Sequence, residues 1–195
     1  MGRLLLRATV GGFFFGHGTQ KLFGWFGGHG PEATAQMFES LGLHPAPLHA
    51  RAAGVAEAGG GAALALGFQT PLASSALIAT MLTAINRVHL KNGPWVTNGG
   101  FEYNAVLIAV AAALAEFGPG PVSLDRLFGT ERKGLGWGLF AVAAGAAGAA
   151  GAHAFSESQK PAAQPAPTAA EAQTSGSQAT EVAAGAVDEA PVSAS

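Results

Sequence analysis

The segment Arg3–Gly30, RLLLRATVGGFFFGHGTQKLFGWFGGHG, decides how the chain folds. It is long enough to cross a bilayer, yet Arg7, His17 and Lys21 interrupt it. On a helix, Arg7, Val10, Phe14, His17 and Lys21 follow one another at steps of three and four and share one stripe. Phe13, Phe15, Leu22 and Phe26 lie largely off it. A cation at the centre of a membrane helix costs roughly 2.5–3.5 kcal/mol on insertion scales, so these groups should turn toward other helices, water or headgroups. The stripe therefore predicts a helical bundle rather than a lone span.

The composition agrees. Of 195 residues, 49% are hydrophobic and only 11% charged, against roughly 25% charged in soluble domains. A net charge of −2 without a cluster of Lys and Arg argues against nucleic acid as a partner. Cysteine is absent, so the chain itself supplies no thiol step and no thiolate metal ligand, and a redox role needs a cofactor or another subunit. Arg7 breaks the apolar run and no small-x-small pattern precedes Lys21, so the first segment reads as a retained helix rather than a cleaved leader.

Working outward, the first span covers about Leu4–Phe26 and ends in glycines, and Pro31 and Glu32 open a short interfacial helix with Met37, Phe38 and Leu41 at helical spacing. A second span, about Leu48–Phe68, sets Glu57 among Gly54, Gly59, Gly60 and Gly61. Small residues let helix backbones approach, and a carboxylate among them seeks a donor or a proton. After a tight turn, a third span runs from about Leu72 to Leu90. Ser75, Ala79, Leu82, Asn86 and His89 share one of its stripes and Thr80, Thr83 and Arg87 another. One stripe is expected to face the bundle and the other the headgroups, with Arg87 and Lys91 snorkelling. The fourth span, about Phe101–Phe117, is short, with Glu102 and Glu116 at its ends and Asn104 one turn inside. A fifth apolar stretch, Gly134–Phe155, carries regularly spaced glycines. From Ser156 the chain turns to Ala, Pro, Ser, Thr and Glu without apolar periodicity. The expected domains are thus a four-helix membrane unit over 1–128, an additional transmembrane helix over 129–155 and a disordered tail over 156–195. Outside the spans, Arg3, Arg126, Arg132 and Lys133 lie on one side against Lys91 and Lys160 on the other, which puts the amino terminus in the cytoplasm and, with five spans, the tail outside. Four spans would return the tail to the cytoplasm.

Several fragments, in order, then resemble a known family: Arg7, His17-Gly18, Lys21-Leu22-Phe23-Gly24, Glu57 with Gly60 and Gly61, Gly67, Met81, Asn92-Gly93, Gly100-Phe101-Glu102-Tyr103, Gly118-Pro119-Gly120 and Ser123-Leu124-Asp125. Over about Arg3–Leu127 the chain resembles the DoxX family. The resemblance implies an all-α, compact four-helix bundle, multi-pass in the bacterial cytoplasmic membrane. It also implies association with oxidoreductases, since relatives include a subunit of a thiosulfate:quinone oxidoreductase and a membrane partner in oxidative-stress complexes. The fifth span and the tail depart from that pattern.

Three functions fit these residues. A membrane component of a redox system that contacts a quinone needs an apolar slot, a donor and a proton route, for which Arg7, His17, Lys21 and Glu57 are the first candidates and His89 and Glu102 the next. A permease would line a path with Arg7, Glu57 and Asn86, but so few helices without an inverted repeat would need to form a homo-oligomer. A non-catalytic scaffold would recruit a soluble redox enzyme and use Arg7, Lys21 and Glu57 to hold its helices together. His17 and His89, on different helices, are poor haem ligands by sequence, and the loop residues His29, His44 and His49 read as solvated rather than metal-binding.

Overall fold

The computed structural model describes residues 1–160, whose regular secondary structure is all helical, with no strand among them. Seven helices run α1 Gly2–Phe23, α2 Gly30–Ser40, α3 Ala46–Leu66, α4 Thr70–Ala84, α5 Glu102–Phe117, α6 Leu124–Leu127 and α7 Leu135–Ser158. A π turn over Ile85–His89 and a 3₁₀ turn over Leu90–Asn92 prolong α4. The helix starts and stops follow local chemistry: Pro31, Pro47 and Pro71 sit in the first turns of α2, α3 and α4, and left-handed Gly24 and Gly67 end α1 and α3.

Helix α1 packs most extensively on α3, α3 also packs on α4, and α4 packs on both α5 and α7, whereas α1 and α5 barely touch. The ring is therefore closed on three sides and loose on the fourth. Val10, Phe14, Leu64, Ala73, Leu77 and Leu114 form its core. Helix α2 lays Phe38 on Leu43, Ala46 and Ala50 at one end, and α7 joins the outside of α4 and α5 by placing Ala141 against Ile78, Ala111 and Ala115.

The α1–α3 contact is nearly backbone to backbone. A Cβ on Gly11 would lie 2.5 Å from the Gly61 carbonyl oxygen, and one on Gly18 would lie 2.6 Å from that of Gly54. Of the glycines noted on α3, Gly54 and Gly61 thus have partners on α1, where no side chain larger than hydrogen fits between, whereas Gly60 faces Leu77 of α4.

The predicted spans coincide with α1, α3, α4 with its extension, α5 and α7. Among the described residues, however, only α7 is long and apolar enough by itself to cross a membrane. Helices α4 and α5 have 15 and 16 residues, below the roughly 20 that a hydrocarbon core requires. Arg3, Arg7 and Lys21 interrupt α1, and Arg51 and Glu57 interrupt α3. The helix expected only as an addition is therefore the most membrane-like of the set. It also runs three residues past the expected boundary, because Ser156 is buried and tied to the α2–α3 loop: its hydroxyl accepts from the His44 amide at 2.9 Å and donates to the Gly42 carbonyl at 3.2 Å. The remainder of the expected tail, 161–195, lies outside the described residues.

The outward faces are apolar. Leu5, Phe13, Val55, Tyr103, Val106, Leu139 and Val142 are all exposed, an arrangement that marks a surface meant for contact with something other than water.

The glycine contact sets a test. Gly61→Val should cost about 3 kcal/mol, the upper end of overpacking penalties, and lower the monodisperse yield and unfolding midpoint in detergent. Gly59→Ala faces open space and should raise the midpoint, as relief of a helical glycine contributes about 0.5–1 kcal/mol.

Candidate functional site

Beside the π turn and the loose α1–α5 seam lies a cavity of about 780 Å³ lined by α1, α2, α3, α4, α5 and α7. Most of its wall is apolar: Val10, Phe13, Phe14, Met81, Val106 and Leu107 are typical. The polar groups that reach it are fewer, and they include His17, Lys21, Glu57, Arg87, His89 and Asn104.

Lys21 and Glu57 meet there, the Lys21 ammonium donating to Glu57 Oε2. Glu57 is buried and the Lys21 side chain is 21% exposed. The pair spans the glycine-lined α1–α3 contact, which brings the two helices close enough for a lysine to reach. An ammonium carries three protons, so this bond leaves Lys21 with two more donors. His17 stands one turn before Lys21 on the same wall, solvent-exposed at its edge. His89 also lines the cavity, with its Nδ1 2.7 Å from the Gly99 carbonyl oxygen. Asn104, buried on α5, donates from Nδ2 to the Met81 sulfur at 3.3 Å.

Two candidates do not join this group. Arg7 belongs to the stripe but sits 14 residues before Lys21, about 21 Å along a helix, and is buried at the opposite end of α1. Its Nη2 donates to the Val122 carbonyl at 2.5 Å, while its guanidinium crosses Gly67, where a Cβ would collide with it. Its Nε and Nη1 find no acceptor among the described residues. Beside it, fully buried Asp125 accepts from the amides of Gln69 and Thr70 at 2.9 and 3.1 Å and from the hydroxyl of Thr130 at 2.9 Å. A carboxylate on the first amides of α4 satisfies otherwise orphaned donors and suits the helix dipole. Arg7 and Asp125 thus fasten the segment after α5 to the α3–α4 turn. Glu102 is the second exception: its Oε1 accepts from the Val96 amide at 2.7 Å and staples the loop before α5.

Arg87 corrects the reading of the third span. It was expected at the headgroups, but its Nε donates to His153 Nδ1 at 3.1 Å and its Nη2 lies 3.4 Å from Glu157, both on α7, and it lines the cavity. Asn86, placed by periodicity with His89, is exposed instead. The π turn is the reason: its wider i→i+5 turn breaks the 3.6-residue register, so Arg87 and His89 both reach one space. Nothing in the sequence announces such a turn. His49, expected in solvent, is half-buried at the cavity wall against Phe155, its Nε2 3.2 Å from the His44 carbonyl oxygen. His44 faces Glu39 at 3.3 Å, and His29 is exposed.

The DoxX family model matches residues 2–90, the part of the chain that carries α1 to the π turn and hence both halves of the Lys21–Glu57 pair. Over 114 residues the chain is 34% identical to the Bacillus subtilis (strain 168) protein named “Putative oxidoreductase CatD”, covering 58% of this chain and 78% of that one. The chain belongs to the DoxX family. DoxX proteins are membrane proteins, in keeping with the apolar exterior. No solved structure matches the chain. Helix α5 and its flanking fragments, Gly100–Tyr103 and Gly118–Asp125, lie beyond the family match although they close the cavity and the Arg7 knot.

Removing one member of a buried ion pair leaves the other uncompensated, at a cost of about 3–5 kcal/mol, whereas replacing both by apolar groups is often neutral. Lys21 is partly hydrated, so Lys21→Met should fall at or below about 3 kcal/mol. The Lys21→Met/Glu57→Leu double variant should recover most of that loss in detergent unfolding. Simple addition of the two single losses would show that the pair is not coupled.

Proposed function

We propose that this DoxX protein is a multi-pass membrane component of a redox system and that its cavity receives the ring of a quinone. The observation that carries the reading is the union of a largely apolar cavity of about 780 Å³ with one buried ion pair at its wall. That volume falls within the range of ordinary small-molecule sites, whose walls are apolar with a few placed polar groups. The name of the Bacillus relative supports the redox element. The exposed apolar belt supports a bilayer around all five long helices, with α4 and α5 short enough to require a thinned bilayer or a contribution from their flanks.

The residues suit such a ring. Lys21 retains donors for a carbonyl oxygen, Asn104 supplies an amide on the facing helix, and His89 offers an imidazole. A bound quinone supplies the capacity to take up two electrons and two protons. Glu57 holds Lys21 in place and is the nearest group able to exchange a proton with it. His17, at the exposed edge, connects that pair to the outside. The loose α1–α5 seam, flanked by exposed Phe13, Tyr103 and Val106, opens the cavity sideways toward lipid, where a quinone's tail would remain. The chain has no cysteine and so supplies no thiol electrons; in this reading a redox partner supplies the electrons.

The Lys21–Glu57 bond itself favours a second reading, a scaffold in which the pair only joins α1 to α3. One experiment separates them. Protein purified in mild detergent from its native membrane should yield extractable quinone near one per chain, and the Lys21→Met/Glu57→Leu double variant, which leaves no uncompensated charge, should keep most of its unfolding midpoint while losing about tenfold in quinone occupancy. Quinone-free wild type, or equal occupancy in the folded double variant, would reject the quinone site and leave the pair to the scaffold.

A further inference from the structure

The end of the bundle opposite the cavity carries a second depression, of about 230 Å³, between the start of α1, the Gly118–Pro121 turn and the segment before α7. Arg3, Arg126 and Lys133 line it, with Glu131 as its one carboxylate. Arg3 is fixed by Nη1 donating to the Phe117 carbonyl at 2.7 Å and lies over left-handed Gly120, whose missing side chain keeps the floor open. Arg126 is held by Glu131 at 2.8 Å. The lining residues therefore carry three positive charges and one negative, a surplus that suits an oxyanion.

The surroundings say which oxyanion. Val122, Leu127, Phe128 and Leu135 stand around this end with more than three-fifths of each exposed. Arg132, next in sequence to the lining residues, donates to Gln69 Oε1 and lies 5.2 Å above the Trp137 ring. Exposed apolar side chains beside cations and an indole place this rim at the depth where headgroups meet acyl chains. A free phosphate would use the charges and leave the apolar rim in water; a lipid uses both.

From this we infer that the Arg3–Arg126–Lys133 depression binds the phosphate group of an anionic membrane lipid. The inference rests on the membrane placement proposed above but not on what fills the cavity.

The test uses the full chain in a neutral detergent, titrated separately with phosphatidylglycerol, phosphatidylcholine and inorganic phosphate and followed by native mass spectrometry and unfolding midpoint. Phosphatidylglycerol should bind tightest. Each basic residue near an anionic surface contributes on the order of a fivefold change in affinity, so Arg126→Gln and Lys133→Gln should each weaken phosphatidylglycerol about fivefold. Together they should weaken it about 25-fold, multiplying those two factors. Glu131→Gln, which removes the competing carboxylate and releases Arg126, should strengthen binding by a similar factor. Arg51→Gln, an exposed cation on α3 outside this depression, should change nothing. Equal affinity for phosphatidylcholine, equal weakening by Arg51→Gln, or weaker binding in Glu131→Gln would overturn the site. A full response to inorganic phosphate alone would overturn its assignment to lipid. Solubility of the wild type without detergent would overturn the membrane placement beneath it.

Discussion

The approach of α1 to α3 is the constraint on which the rest of the structure depends. Gly11 meets Gly61 and Gly18 meets Gly54 with no space for a methyl group. At that separation a lysine on one helix reaches a carboxylate on the other, and both charges can be held in an apolar interior. Held one residue width further apart, Lys21 and Glu57 would each need water or a proton instead. The small residues and the ion pair are therefore one device: dispersion contacts bring the backbones together, and the pair makes any other register costly.

Helix α1 divides its polar stripe between two tasks. At its start, Arg7 joins Asp125 and Gly67 in a knot that fastens the α3–α4 turn to the chain beyond α5. Near its end, Lys21 and His17 face a cavity. In the knot the guanidinium donates to the Val122 carbonyl and lies across Gly67, while Asp125 accepts from the amides that open α4, so the fastening is made of fixed donors and acceptors from separate segments. Ammonium, carboxylate and imidazole exchange protons more readily, and those are the types found where the cavity meets the outside.

Helix placement and the inward stripe of α1 were legible because both rest on local spacing: a 3.6-residue period, glycines at helix ends and prolines in first turns. The Lys21–Glu57 meeting was readable only as two groups needing partners, since pairing across 36 positions depends on the α1–α3 register. Arg87 and Asn86 were misplaced for one reason and His49 for another. Arg87 and Asn86 lie within a π turn that shifts the register by a fraction of a turn, and His49 is covered by Phe155 from the distant helix α7. Grouping Arg7 and Glu102 with the cavity failed differently. Distance along α1 removes the first, and the Val96 amide claims the second.

Helix α7 shows how a segment outside the family match can still alter the site. Gly148 and Ala152 form part of the cavity wall, and small residues there leave volume that larger ones would fill. Further along, His153 and Glu157 hold Arg87, and Ser156 ties the helix to the loop that opens α3. These contacts bear on the π turn, whose irregular hydrogen bonding leaves it more dependent on outside support than a regular helix. By fixing Arg87, α7 also fixes the wall from which His89 faces the cavity. The shape of that wall is thus set jointly by the family-matched segment, which supplies Arg87 and His89, and by a helix beyond it, which holds Arg87. Without α7 this turn would have to be held by other means, and the shape of the cavity would change accordingly.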